Sequence, residues 1–190
     1  MNHSADSLFR HRIELIPNCG HSIDYSLTTP WLKNYKRNPY PHTFLWEDYP
    51  MDGQRRQGFY NLYVMKRPKA ADGLKDASGE DRDYYEMDIK DNVIRLSVRK
   101  VTYQTVEREP VYGIDLKFTK SYHQASGGKW KIYLNDQLVD MNRPVTVFIN
   151  DRKAFEGKLV PRMEDMITSC MEYFDPVSYT HLTLPTICSV

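Results

Sequence analysis

The spacing of apolar and polar residues changes period twice along this chain. Between His11 and Ile16, Ile13, Leu15 and Ile16 are interleaved with Arg12 and Glu14, which predicts a short strand. Pro17 ends it, because proline cannot donate to a strand ladder. Thr29-Pro30 then opens a helix. Threonine is a good N-cap, and proline suits the first helical position, where its missing N–H costs nothing. Trp31, Leu32 and Tyr35 form an apolar stripe on that helix, and Asn38-Pro39 stops it.

From His42 the period becomes two. Phe44 and Trp46 share a face, Asp52-Gly53 is a turn, and Phe59 to Met65 reads as one strand. Arg67 to Arg82 is a polar loop rich in Lys, Asp, Gly and Ala. Tyr84–Ile89 and Val93–Val98 make a hairpin around Lys90-Asp91-Asn92. Val101–Val106 either continues the second hairpin strand or begins another, and strands are expected at Tyr112–Phe118, Trp130–Leu134, Val145–Ile149 and Ala154–Leu159, with a second polar loop from Ser121 to Lys129. About seven or eight short strands divided by turns predict an antiparallel, β-sandwich-like domain over 42–160. Helical spacing returns in Arg162–Phe174, with Met163, Met166, Ile167, Cys170, Met171 and Phe174 on one stripe, expected to pack on the core. Glu164 and Asp165 in its first turn suit the helix dipole. The fold class is therefore mainly β with a C-terminal amphipathic helix over 161–176.

Composition narrows the function classes. The net charge of +1 over 190 residues argues against a dedicated nucleic-acid surface, which carries a basic excess. No apolar run approaches the ~20 residues that span a bilayer, and residues 1–7 hold no apolar signal core. Cys19, Cys170 and Cys188 lack metal or disulfide spacing, so neither metal nor cofactor is expected. Fourteen tyrosines favour strands.

Candidate chemistry centres on His21. It follows Gly20 at a strand-to-helix connection, where hydrolytic enzymes place a general base. Gly20 supplies backbone freedom there. There is no Gly-x-Ser-x-Gly in the chain. Ser22 adjoins His21 and its side chain points away; Asp24 suits capping; Cys19 reads as a small buried residue. His11, His42 and His123 have no ligand-spaced partner. Lys33, Lys36 and Arg37 read as a solvated face. Trp46, Tyr60, Tyr63, Trp130 and Tyr133 are candidates for a sugar-stacking platform, but are read chiefly as core.

The order strand, turn, Gly20-His21, helix resembles the end of an α/β-hydrolase catalytic domain, where the triad histidine follows the last strand. The longer set is similar to secreted bacterial esterase-like or peptidase-like α/β-hydrolases related to polyhydroxybutyrate depolymerases, which carry an accessory C-terminal β-domain. That set is Cys19–Tyr25, Pro30-Trp31-Leu32, Arg37–Pro41, Phe59–Tyr63, Leu138–Val147 and Phe155-Glu156-Gly157. The resemblance implies a domain remnant over 1–41, an accessory domain over 42–160 and an extracytoplasmic (periplasmic or secreted) location. It implies that His21 is the base of a Ser-His-Asp triad whose nucleophile and acid lie on an N-terminal catalytic domain of the same protein, so that this fragment alone is inactive on the parent's small ester or peptide substrate. Residues 177–190 resemble translated sequencing adapter, which implies a non-native tail; the alternative is a genuine short tail strand, since Thr, Leu and Tyr suit strands. The alternative from a different class is a free-standing β-sandwich module that binds a glycan or a protein partner.

Overall fold

The computed structural model describes residues 26, 28–36, 38–50, 53–70, 82–109, 115–173 and 180–184. The expected strand at 11–16 lies outside them. The chain divides into two compact units, Met1–Asn38 and Pro39–Val190. In the first, α1 (Thr28–Leu32) forms at the Thr-Pro signal and buries none of its residues. The Trp31 and Tyr35 rings lie 4.8 Å apart, and Leu32 is 55% exposed.

The second unit is mainly β. Its strands are β1 (Thr43–Asp48), β2 (Gly58–Phe59), β3 (Leu62–Lys66), β4 (Lys69–Ala70), β5 (Arg82–Lys90), β6 (Val93–Glu109), β7 (Asp115–Ser126), β8 (Lys129–Leu134), β9 (Val145–Ile149), β10 (Arg152–Gly157) and β11 (Thr180–Leu184). Helix α2 (Met163–Tyr173) precedes the last strand. One sheet runs β1-β5-β6-β7-β4, with β9 also on β6 and β10 on β9; the other runs β11-β8-β3-β2. The inner faces feed one apolar cluster. Phe44, Trp46, Tyr85, Met87, Ile94, Leu96 and Val98 enter from the first sheet, Leu62, Val64, Trp130, Ile132 and Leu134 from the second. Each such side chain contributes roughly 1.5–3 kcal/mol by leaving water. Trp46 stacks on Tyr85 at 5.1 Å and on Phe59 at 5.5 Å.

Several expectations need correction. The first sheet is mixed, not antiparallel throughout, because β9 runs parallel to β6. Val101–Val106 continues the strand begun at Val93, so that Val93–Glu109 is one strand. Phe59–Met65 is a hairpin, with Phe59 opposite Leu62 and Tyr60 in the left-handed region at φ 49°. The polar loop expected at 121–129 belongs to β7 as far as Ser126. Its residues are polar on both faces, so no apolar alternation marks it. Thr180–Leu184 pairs with β8, a pairing that leaves the adapter resemblance of this stretch untouched. The methionine stripe of α2 does not enter the core: Met163 is 68% exposed, Ile167 54% and Met171 75%, while Asp165 and Ser169 are buried. Periodicity defines a stripe on a helix but not the surface that stripe faces.

The central strand β6 organises the first sheet. One edge pairs with β5 from Val93 to Val101. The other edge is shared end to end: β9 occupies Val93–Leu96, and β7 begins at Arg99. Asn150 fills the gap between them. Its backbone N–H donates to Leu96 O (3.0 Å), its side-chain oxygen accepts from Val98 N (2.7 Å), and its amide nitrogen donates to Val98 O (3.1 Å). An amide side chain thus stands in for a strand residue.

Asn150 and Asp151 are also the two turn residues of the β9–β10 hairpin, both at positive φ (47° and 64°). Asp91 and Asn92 play that part between β5 and β6, at 50° and 62°. These are the angles of a type I′ turn, which asparagine and aspartate tolerate better than other side chains. Asn92 is a clasp as well. It donates to Asp140 O (2.8 Å) and accepts from Asp140 N (2.8 Å), tethering the loop before β9. Asn150→Gly keeps the turn and removes only the clasp. Losing two hydrogen bonds beside a half-buried N–H should cost about 2–3 kcal/mol. A urea titration should show a lower midpoint with an unchanged slope; an unmoved midpoint would show the clasp to be idle.

Candidate functional site

The inner face of the first sheet ends in charge. Asp48, Asp83, Lys100 and His123 lie opposite one another across β1, β5, β6 and β7. Asp83 has no exposure and Lys100 only 2%. The Lys100 ammonium donates to Asp83, and the Arg67 and Arg55 guanidiniums approach Asp83 Oδ2 at 3.1 and 3.4 Å. Arg67 also bonds Asp48, and Arg55 lies 3.6 Å from it. The Tyr85 hydroxyl donates to Asp83 at 3.4 Å. Burial, and then the Asp83 charge, push the Tyr85 phenol up, against the smaller pull of Arg67. These contacts are structural: the Lys100 amine is held on a carboxylate and is not presented as a nucleophile.

The outer face of the same strands is different. Glu47, Tyr84 and Arg99 form one cross-strand row; Arg82, Val101 and Tyr122 form the next; Tyr103 stands opposite Lys120. Val101 is buried although it is on this face. The Tyr84 and Tyr122 rings meet edge to face at 5.0 Å. Lys120 lies 5.1 to 5.7 Å from the Tyr84, Tyr122 and Tyr103 rings, Arg82 lies 4.4 Å over Tyr49, and Arg99 lies 5.6 Å over Tyr122. Glu47 is held by Lys120 (2.6 Å), by the Tyr103 hydroxyl (2.9 and 2.8 Å) and by Arg82 (3.5 Å). Burial opposes the Lys120 charge, but hydrogen bonds to Glu47 and Tyr103 outweigh it and raise its pKa. Burial, then Tyr122 and Glu86, push Tyr84 up to about 12.

The two faces meet at a pocket of about 440 Å3 beside Asn150, where β9–β10 diverges from β7. Arg99, Tyr122, His123, Gln124, Trp130 and Arg152 line it. Its volume falls in the range of small-ligand sites, roughly 300–1,000 Å3. The Asn150 amide is committed to Val98, and His123 Nε2 lies 2.7 Å from Thr102 Oγ1. That leaves the two arginines, Asp151, Gln124 and the Tyr122 ring, which is 45% exposed, as groups a ligand could meet. Gly128 sets the shape of this end. A Cβ there would lie 2.5 Å from the Trp130 ring, so only glycine lets the chain cross from β7 to β8 so close to the indole.

His21, the residue expected to be catalytic, lies outside the described residues, as do Cys19, Cys188 and His11. His42 is 2.8 Å from Gln137 O. Trp46, Trp130 and Tyr133 are buried, Tyr60 packs on Phe44 at 5.4 Å, and the Tyr63 hydroxyl donates to Gln57. The aromatic residues singled out from sequence are thus mainly core, although Trp130 also borders the pocket. The outer aromatic face is built instead from Tyr84, which is buried, Tyr103, which is half-buried, and Tyr122, which is exposed. The signal for it was their common phase once β5, β6 and β7 are placed in register. His123, read as structural, lines the pocket. Among the described residues no group of His, Cys, Asp or Glu is arranged to hold a metal ion.

The outer face yields a pH dependence. The folded chain holds the Tyr84 proton more tightly than an unfolded chain does, and Lys120 has the same sign. Their contribution to stability is full below about pH 10 and falls as pH rises toward about 12. Urea midpoints should drop across that window, and tyrosinate absorbance should rise in at least two steps, the later one coinciding with unfolding. A flat midpoint, or all tyrosines ionising together, would contradict this account. Compared with protein-family models, curated proteins and solved structures, the chain matches none.

Proposed function

We propose that the β-rich unit is a glycan-binding module. The observation that supports this reading is the continuity of the tyrosine–cation face with the pocket through Tyr122 and Arg99. Sugar rings stack their C–H faces on exposed aromatics, while their hydroxyls take hydrogen bonds from flanking amides and guanidiniums. Tyr122 provides the ring, and Gln124, Arg99 and Arg152 provide the donors. Tyr122→Ala should weaken oligosaccharide binding at least about ten-fold, a loss of about 1.4 kcal/mol, and leave the circular dichroism spectrum unchanged. A glycan array with no hit for the intact chain would sink the proposal.

A second reading is compatible with the first: the chain is the C-terminal part of an extracytoplasmic serine hydrolase. The resemblance around Gly20-His21 suggests it, and the unburied apolar stripe of α1 favours it, because Trp31, Leu32 and Tyr35 are the residues such a helix would pack on a parallel sheet. On this reading His21 takes the serine proton during attack and returns it to the leaving group, with serine and acid supplied by a preceding catalytic domain. Loss of the nucleophile costs about a million-fold in rate. The present chain should therefore hydrolyse p-nitrophenyl acetate no faster than buffer. Turnover that His21→Ala abolishes would show that the chain carries its own nucleophile.

A further inference from the structure

We infer that the ligand seated at the fork is an acidic oligosaccharide, one whose sugar carries a carboxylate or sulfate group; this rests on the glycan-binding reading above. Two guanidiniums border the pocket, Arg99 from β6 and Arg152 from the start of β10, against one carboxylate, Asp151. Among the described residues neither arginine has an ion-pair partner. Several other cations of the unit are committed. Arg55, Arg67 and Lys100 are held by Asp48 and Asp83, and Lys120 and Arg82 by Glu47.

The two guanidiniums against one carboxylate leave the pocket one positive charge over. A guanidinium presents its N–H donors in a flat fork that matches a planar carboxylate, and it also bonds a sulfate through two oxygens. A neutral sugar would satisfy these forks only partly. The Arg99 guanidinium lies 5.6 Å from the centre of the Tyr122 ring, which places the stacking surface beside the anion site. A ring on Tyr122 with an acidic substituent toward Arg99 and Arg152 would engage both guanidiniums at once.

The test is calorimetric titration of the full chain with three oligosaccharides of equal length: a neutral chain, an oligouronate and a sulfated chain. At low salt one of the charged chains should bind at least about ten-fold tighter than the neutral one, and the better of the two identifies the anion. About 0.5 M salt should erase most of that preference by screening. Arg99→Gln and Arg152→Gln should each remove most of that preference, lowering affinity for the charged chain by a larger factor than affinity for the neutral one. Both arginines are exposed, so both variants should fold. Lys153→Gln, at an exposed ion pair with Glu156, should change nothing. Equal affinity for charged and neutral chains would overturn the inference and leave the glycan reading standing. So would a preference that survives both arginine variants. Absence of binding by all three would remove both.

Discussion

The carboxylate of Asp83 is the constraint to which the sheet answers. It has no exposure and touches cations from three different segments, Arg55, Arg67 and Lys100. An ion buried this way is tolerable only with its partners in place, since stranding one such charge costs roughly 3–5 kcal/mol. Its cross-strand neighbours are Asp48 on one side and Lys100 on the other. A one-residue slip of β1 or β6 would turn those neighbours to the opposite face. The buried ions thus fix the register of three strands. The same register aligns Glu47, Tyr84 and Arg99 on the outside, so the charges that never meet solvent determine the layout of the surface that does.

The pocket has an equally simple origin. A strand has two edges, and β6 serves three partners. Two of them share an edge and approach from opposite directions along it, one parallel and one antiparallel. They cannot meet without a gap in the ladder, and an unpaired N–H and C=O at Val98 would be the result. Asn150 closes that gap with a side chain, which is narrower than a strand, and a crevice remains beside it.

Much of the fold was legible from alternation. The β5–β6 hairpin, β8, β9 and α2 follow directly from apolar spacing and turn residues. The second half of β7 did not, because Ser121, His123 and Gln124 replace apolar residues on a strand that carries polar groups on both faces. The Phe59–Met65 segment looked like one strand because its two turn residues, Tyr60 and Asn61, carry no glycine or proline signal. The buried ions were invisible for a related reason: Asp48, Asp83 and Lys100 look like solvent-facing residues until their cross-strand partners are known. The candidate site suffered most. Its residues come from separate strands, and only the pairing of β6 with both β7 and β9 brings Arg99, Tyr122 and Arg152 to one place. His21, the residue that the sequence resemblance points to, belongs to the other unit.

The two asparagines at the hairpin corners set a chemical clock on this architecture. Side-chain amides hydrolyse slowly with age, and each event exchanges a donor for a charged oxygen. At Asn150 that oxygen would confront the Val98 carbonyl now held at 3.1 Å, turning a seam into a point of repulsion at the rim of the pocket. Aged material would then lose the junction of β9 with β6 while its apolar interior stayed chemically intact.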